Sequence, residues 1–177
     1  MSLFYKVAYR LGFTPWEEAS GDDETAAKVS EWFDREESGR DVDMVPMALS
    51  TARERAHEAG VEVRLLQGDV TSLRAAGVGD GFRLVWDFGT VHGLTPAQRQ
   101  AVGREVSAVA APDASVVMLA WTPGRRGPLP RGASRADIEA AYAGWKVTDE
   151  DAADVSGPNV PRPVRNAKPR WYRLVRA

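Results

Sequence analysis

The sequence predicts an α/β fold built on a mostly parallel sheet, and three observations predict it. Apolar runs alternate with helical patterns from residue 41 to 121, which calls for parallel strands joined by right-handed crossovers. Three of those runs close on an aspartate: Val42-Asp43, Val63-Arg64-Leu65-Leu66-Gln67-Gly68-Asp69, and Leu84-Val85-Trp86-Asp87. Residues 114–121 are almost continuously apolar, as suits a strand buried on both faces.

The totals bound the reading. A chain of 177 residues, 44% hydrophobic and 27% charged, is large enough for one domain with its own core. A net charge of −2 offers no whole-protein attraction to nucleic acid or to an anionic membrane. No run of 18 apolar residues is present, and residues 1–13 lack the continuous apolar core of a signal peptide. The expectation is a cytoplasmic protein. Zero cysteines exclude disulfides, thiolate metal sites and cysteine nucleophiles, and two histidines are too few for a His-rich metal centre. No metal is expected.

The elements follow in order. Residues 1–20 carry Phe4, Tyr5, Tyr9, Phe13 and Trp16 and read as an aromatic N-terminal lid segment. Ala26, Val29 and Phe33 predict a helix over 25–37, stopped at Ser38-Gly39. Residues 41–45 read as a short strand. Pro46 suits the first turn of a helix that carries Leu49, Ala52, Ala56 and Ala59 and ends at Gly60. Strands follow at 61–67 and 82–87, separated by a glycine turn at 77–81. Thr95-Pro96-Ala97-Gln98 combines a hydroxyl cap, a proline at the first helical position and a glutamine at the third, the sequence pattern of a capping box. Val102, Val106 and Val109 give that helix an apolar stripe. After strand 114–121, Ser134 and Asp137 cap a helix bearing Ile138, Ala141 and Tyr142, and late strands are expected at 145–148 and 171–175. The core spans 41–121; residues 122–177 supply C-terminal strands and two Pro/Gly/Arg loops, 122–133 and 156–169.

Ligands of parallel sheets sit beyond the carboxyl ends of the strands, where Asp43, Asp69 and Asp87 fall. An acid at the end of a second strand can accept hydrogen bonds from both hydroxyls of a ribose, and Asp43 is placed for that. Asp69 can accept from an adenine amino group, with the Val70 amide serving a ring nitrogen. Asp87 lies by the switch point, where a reacting group belongs.

Asp43-Met44-Val45-Pro46-Met47-Ala48-Leu49, Gly68-Asp69-Val70, Trp86-Asp87-Phe88-Gly89 and His92-Gly93-Leu94 resemble, in order and spacing, the small class I S-adenosylmethionine-dependent methyltransferases. The opening Phe4-Tyr5, Phe13-Thr14-Pro15-Trp16 and the closing Arg170-Trp171-Tyr172 are similar to its thiopurine-methyltransferase-like branch. The resemblance implies a Rossmann-like methyltransferase fold with an antiparallel C-terminal strand. It implies S-adenosylmethionine as cofactor, S-adenosylhomocysteine as product and a small molecule as methyl acceptor. Asp43 would hold the ribose, with Met44 also at the cofactor, Asp69 and Val70 the adenine, and Asp87 and Phe88 the methionine end and the methyl group. His92, Trp16 and Trp121 would line the acceptor pocket, with Asp87 and His92 as the catalytic residues and His92 as the candidate base.

One departure stands out. That family opens its sheet with a strand, a Gly-x-Gly-x-Gly-like turn and a helix, because only glycine lets the backbone approach the cofactor. Here the helix at 25–37 passes through Ser38-Gly39-Arg40 directly into Asp41-Val42-Asp43. The first strand-turn-helix unit is expected to be absent. The consequence would be either a reduced sheet, in which the Asp43 strand pairs with the Asp87 strand, or a sheet whose missing element a partner chain supplies, by swapping in a homodimer or as a distinct subunit. A non-catalytic interaction subunit is the alternative function. A dinucleotide enzyme ranks last, since no Gly-x-Gly-x-x-Gly is present.

Plainer readings stand beside these. Any one aspartate can be a turn residue. His92 can be a loop histidine bonded to the backbone, because methyl transfer depends on alignment more than on a base. Most of the tryptophans belong to a core, but Trp121, like Phe88, can face a sulfonium through cation–π attraction. Arg125, Arg126, Arg131, Arg162, Arg165, Lys168 and Arg170 read as solvated loop residues rather than an RNA surface.

Overall fold

The computed structural model describes residues 39–127, 129–154 and 162–177; the expected lid and the helix at 25–37 lie outside them. Strand β1 (Gly39–Asp43) leads into helix α1 (Pro46–Ala59), strand β2 (Val63–Gln67), a 3-10 turn (Val70–Ser72) and strand β3 (Phe82–Phe88). A second 3-10 turn (Val91–Gly93), helix α2 (Pro96–Val109), strand β4 (Ala110–Ala120), helix α3 (Arg135–Ala141), strand β5 (Trp145–Ala152), helix α4 (Arg162–Ala167) and strand β6 (Arg170–Arg176) complete it.

Local chemistry sets the boundaries. Val45 is the extended cap residue of α1 and Pro46 its first helical residue, so β1 ends at Asp43, two residues earlier than expected. Gly60 closes α1 in the left-handed conformation, φ 68°, with its N–H directed at the carbonyls of Ala56 and His57. The capping boxes form as expected: Thr95 with Gln98, and Ser134 with Asp137.

The strands form two sheets, ordered β2-β1 and β3-β4-β6-β5. β1 and β2 are parallel, as are β3 and β4, while β6 runs antiparallel to both β4 and β5. This is the mostly parallel α/β sheet with an antiparallel C-terminal strand. The expected pairing of the Asp43 strand with the Asp87 strand does not occur: β1 pairs with β2 alone among the described strands. The two sheets adjoin at their amino ends, where the Arg40 guanidinium lies 5.0 Å from the Phe82 ring centre.

Alternation along β4 builds the core. Ala114, Val116, Met118 and Ala120 face Val102 and Val106 of α2 and Ile138 and Ala141 of α3. Val117 and Leu119 face the other way, against Leu84, Trp86, Phe88 and Trp171. Val70 and Leu73, from the segment after β2, pack onto the first cluster and join the small sheet to the large one. Arg74 reinforces that joint, donating to Glu105 of α2 at 2.7 Å. Among the described residues, no helix is long and apolar enough to cross a membrane.

Helices α2 and α3 meet at Gly103. A Cβ there would stand 2.0 Å from the Ala141 carbonyl oxygen and 3.2 Å from the Tyr142 Cα. In an exposed helix Gly→Ala gains about 1 kcal/mol. Here the clash is with backbone and reverses the sign. Gly103→Ala is expected to cost about 1–3 kcal/mol and to lower the melting temperature by roughly 3–10 °C. A raised melting temperature would show that α3 does not rest on this glycine.

Candidate functional site

The carboxyl ends of β1 and β2 bring two of the three aspartates together. The Gly68 N–H donates to the Asp43 carbonyl at 3.1 Å, locking the Asp69 turn against the end of β1. That approach requires glycine: a Cβ at residue 68 would stand 2.8 Å from the Ala76 Cβ and 3.3 Å from Val42 Cγ1. Asp43 Oδ1 accepts from the Val45 N–H at 2.6 Å. Asp69 Oδ1 accepts from the Thr71 N–H at 2.8 Å and from Thr71 Oγ1 at 2.7 Å. These two bonds from Thr71 hold the Asp69 carboxyl below its ordinary range, so it is ionised at neutral pH. Met44 is half-buried between β1 and α1. Val70 opens the 3-10 turn, where the first amides have no partner inside the turn.

Asp87 has a different geometry from the one expected of a group facing a ligand. Residues 85 and 87 lie on the helix-covered face of β3 and residues 86 and 88 on the other. The Asp87 carboxylate is buried and accepts from the Thr90 N–H at 2.6 Å and the Val91 N–H at 3.2 Å. Burial raises its pKa to about 6 in spite of those bonds. Its work is to hold the turn that follows β3. Phe88 joins an aromatic cluster with Trp86 and Trp171, ring centres 6.4 and 6.2 Å away.

His92 is a structural plug at the end of β4. Its Nδ1 accepts from the Trp121 N–H at 3.3 Å, so the ring proton sits on Nε2. The ring stacks on the Trp121 indole at 4.9 Å and 10°. A Cβ at residue 89 would stand 3.0 Å from its Cε1, and Gly89 has φ 86°. Burial lowers the His92 pKa to about 3; a hydrogen bond with the Leu119 backbone opposes this, and the charges of Arg99 and Arg126 reinforce it. A neutral, buried imidazole of that acidity is too weak a base for proton abstraction at neutral pH. Both groups are thus bonded to backbone, Asp87 in the turn after β3 and His92 at the end of β4. Trp121 is half-buried at the same edge, whereas Trp16 lies outside the described residues.

Arg99 was not singled out by the sequence, because it sits in a helix with an ordinary polar face. It is buried, and its Nε donates to the Val91 carbonyl at 2.9 Å and its Nη2 to the Gly132 carbonyl at 2.6 Å. Gly132 in turn donates to the His92 carbonyl at 3.2 Å. The guanidinium thus ties the turn after β3 to the loop after β4. Among the described residues no cluster of His, Asp or Glu could hold a metal ion.

Asp87 and His92 pull stability in opposite directions with pH. Asp87 has its pKa raised on folding, from 3.8 to about 6. Its contribution is complete below 3.8 and is lost as pH rises through about 6. His92 has its pKa lowered, from 6.5 to about 3. Its contribution is complete above 6.5 and is lost as pH falls toward about 3. Between about pH 4 and pH 6 the slopes cancel, each being about 1.4 kcal/mol per pH unit. Relative to the parent protein, Asp87→Asn should therefore lose stability by about that slope as pH falls across this range, and His92→Gln should gain it. Denaturant titrations of all three proteins check this, and parallel profiles would refute it.

A methyltransferase domain model matches residues 20–113, just over half of the chain. No curated protein sequence matches it. Among solved structures, the chain is similar to an S-adenosylmethionine-dependent methyltransferase from Clostridium acetobutylicum. The two are 12% identical with a TM-score of 0.60 over 90% of this chain and 82% of that one. It is also similar to the N-methyltransferase NodS from Bradyrhizobium japonicum in complex with S-adenosylhomocysteine, at 14% identity and a TM-score of 0.61, over 77% of this chain and 65% of that one. At such identities the likeness is one of fold, and it agrees with the sheet described above. The chain belongs to the methyltransferase domain family.

Proposed function

We propose that the chain is an S-adenosylmethionine-dependent methyltransferase that acts on a small molecule. The observation that carries this reading is the junction of Asp43 and Asp69 through the Gly68 N–H. It places both acidic residues at the carboxyl ends of adjacent parallel strands, within the matched region of the family. A ribose offers two hydroxyl donors and an adenine one amino donor, which matches one acid each. Val70 would add its amide to an adenine ring nitrogen, and Met44 an apolar wall. The cofactor supplies an electrophilic methyl group on a sulfonium sulfur. The chain's own contribution is alignment of the acceptor and exclusion of water, with the half-buried Phe88 as an aromatic group available to a cation.

The methionine end fits less well. In the doubly wound order 3-2-1-4-5, β2 and β1 correspond to positions 3 and 2, and β3 and β4 to positions 4 and 5. No described strand corresponds to position 1. The one Gly-x-Gly-x-Gly spacing in the chain, Gly77-Val78-Gly79-Asp80-Gly81, leads into β3 rather than following a strand and opening a helix. We therefore read the sheet as reduced by its first strand-turn-helix unit. Affinity then rests on the adenosine half and falls to roughly millimolar, about −4 kcal/mol.

Calorimetry with S-adenosylhomocysteine tests both points. The parent chain should bind with a Kd of roughly 1 mM, and Asp43→Ala or Asp69→Ala should each weaken binding about tenfold or more. Absence of binding by the parent at several-fold that concentration would overturn the function and favour an interaction subunit.

A further inference from the structure

The carboxyl end of β4 carries a cation that no group of the described protein fully satisfies. Arg126, on the loop that follows β4, folds back over the Trp121 indole with its guanidinium carbon 5.8 Å from the ring centre. Its Nη2 donates to the Thr122 carbonyl at 2.8 Å and the Ala167 carbonyl at 3.4 Å. Its Nη1 is buried and has no hydrogen-bond partner among the described residues. Gly124 makes this pose available, since a Cβ there would stand 2.9 Å from Nη2 and 3.2 Å from Nη1. A buried guanidinium donor without an acceptor is costly, and with Nη2 already engaged Nη1 is left for an anionic oxygen such as that of a carboxylate.

The surroundings carry the same sign. Arg125 and Arg131 are exposed on the loop of Arg126, and Arg165 and Lys168 are exposed at the end of α4. Thr122 binds the two segments together, its N–H and Oγ1 both donating to the Ala167 carbonyl at 3.1 and 2.8 Å. None of these four cations takes part in an ion pair among the described residues. For a chain of net charge −2, this is a local concentration of positive charge, and such a field steers anions toward it. The acids that suit an adenosine lie at the ends of β1 and β2. The Arg126 rim lies at the end of β4, beside Trp121 and His92, on the side left for the acceptor.

We propose that Arg126 is the specificity-determining residue of the acceptor pocket and that the methyl acceptor carries a carboxylate, which Nη1 and the basic rim bind while the acceptor's apolar body lies along the edge of Trp121 that His92 and Arg126 leave uncovered. This rests on the methyltransferase reading for the word acceptor, but not for the binding itself. The same carboxylate chemistry has a second source, the methionine end of the cofactor, and the test separates the two.

Benzoate and benzamide are titrated into the full chain, each alone and with S-adenosylhomocysteine at several times its Kd. Binding is followed by tryptophan fluorescence, with Trp121→Phe identifying the reporting indole. Benzoate is expected to bind about tenfold or more tightly than benzamide, equally well with and without S-adenosylhomocysteine. Arg126→Met should erase the preference, and Arg126→Lys, which keeps the charge but not the fork, should retain part of it. Circular dichroism and melting temperature establish that both variants are folded. Equal affinity for the two probes would overturn the proposal, as would a preference that survives in a folded Arg126→Met protein. Competition between benzoate and S-adenosylhomocysteine would assign Arg126 to the cofactor instead. Benzoate binding with no detectable S-adenosylhomocysteine binding would sink the methyltransferase reading and leave the anion site standing.

Discussion

Burial of β4 on both faces is the constraint on which the rest of this structure depends. Val116, Val117 and Met118 are fully excluded from solvent, and each contributes about 1.5–3 kcal/mol by burial. Because one face needs α2 and α3 and the other needs the cluster of Trp86, Phe88 and Trp171, a single strand recruits both layers. Its neighbours follow from it, β3 parallel on one edge and β6 antiparallel on the other. The carboxyl end of β4 is closed by residues distant in sequence. His92 caps it, Trp121 extends it, and the loop beyond returns through the Ala133 N–H to the Trp121 carbonyl at 2.8 Å.

The small sheet is attached to this frame through a narrower joint. Val70, Leu73, the Arg74–Glu105 pair and the Arg40–Phe82 contact carry it, and the residues of β1 and β2 are at most half-buried. Segments with little buried apolar contact open at lower free energy than the core does. The acids that suit a ribose and an adenine therefore stand on the softer part of the molecule, and the basic rim stands on the rigid part. A ligand touching both would stabilise the joint in proportion to its concentration over its Kd.

Much of the fold was legible because it is written in local chemistry. Thr95 with Gln98, Ser134 with Asp137, and Pro46 with Gly60 each satisfy or terminate helix ends in ways that need no tertiary information. The strand at 82–88 and the near-continuous apolar run of β4 were legible by pattern. What was not legible depended on neighbours distant in sequence. That Asp87 faces the helices follows from the register of β3 against β4, since a one-residue slip would turn it over. That His92 is neutral follows from burial beside Trp121, 29 residues away. Arg99 reaches Gly132, 33 residues away, and no periodicity within α2 marks it. The separation of β1 from β3 was half legible: the direct passage from Gly39 to Asp43 can be read from the chain, but whether the flanking strands would close up or stay apart depends on packing.

The turn reading and the ligand reading of the strand-end aspartates are not rivals. A carboxylate has two oxygens and about four acceptor positions, and the bonds from Thr71 to Asp69 all fall on Oδ1. Fixing one oxygen to the backbone removes rotamer freedom that a ligand would otherwise have to freeze, and it keeps the group ionised. The same device on Asp87 has the opposite outcome, because the bonds fall on both oxygens and the group is buried. Position along the strand is nearly the same in the two cases. The difference is which face of the sheet the side chain takes, and on a pleated strand that is decided by a single residue of register.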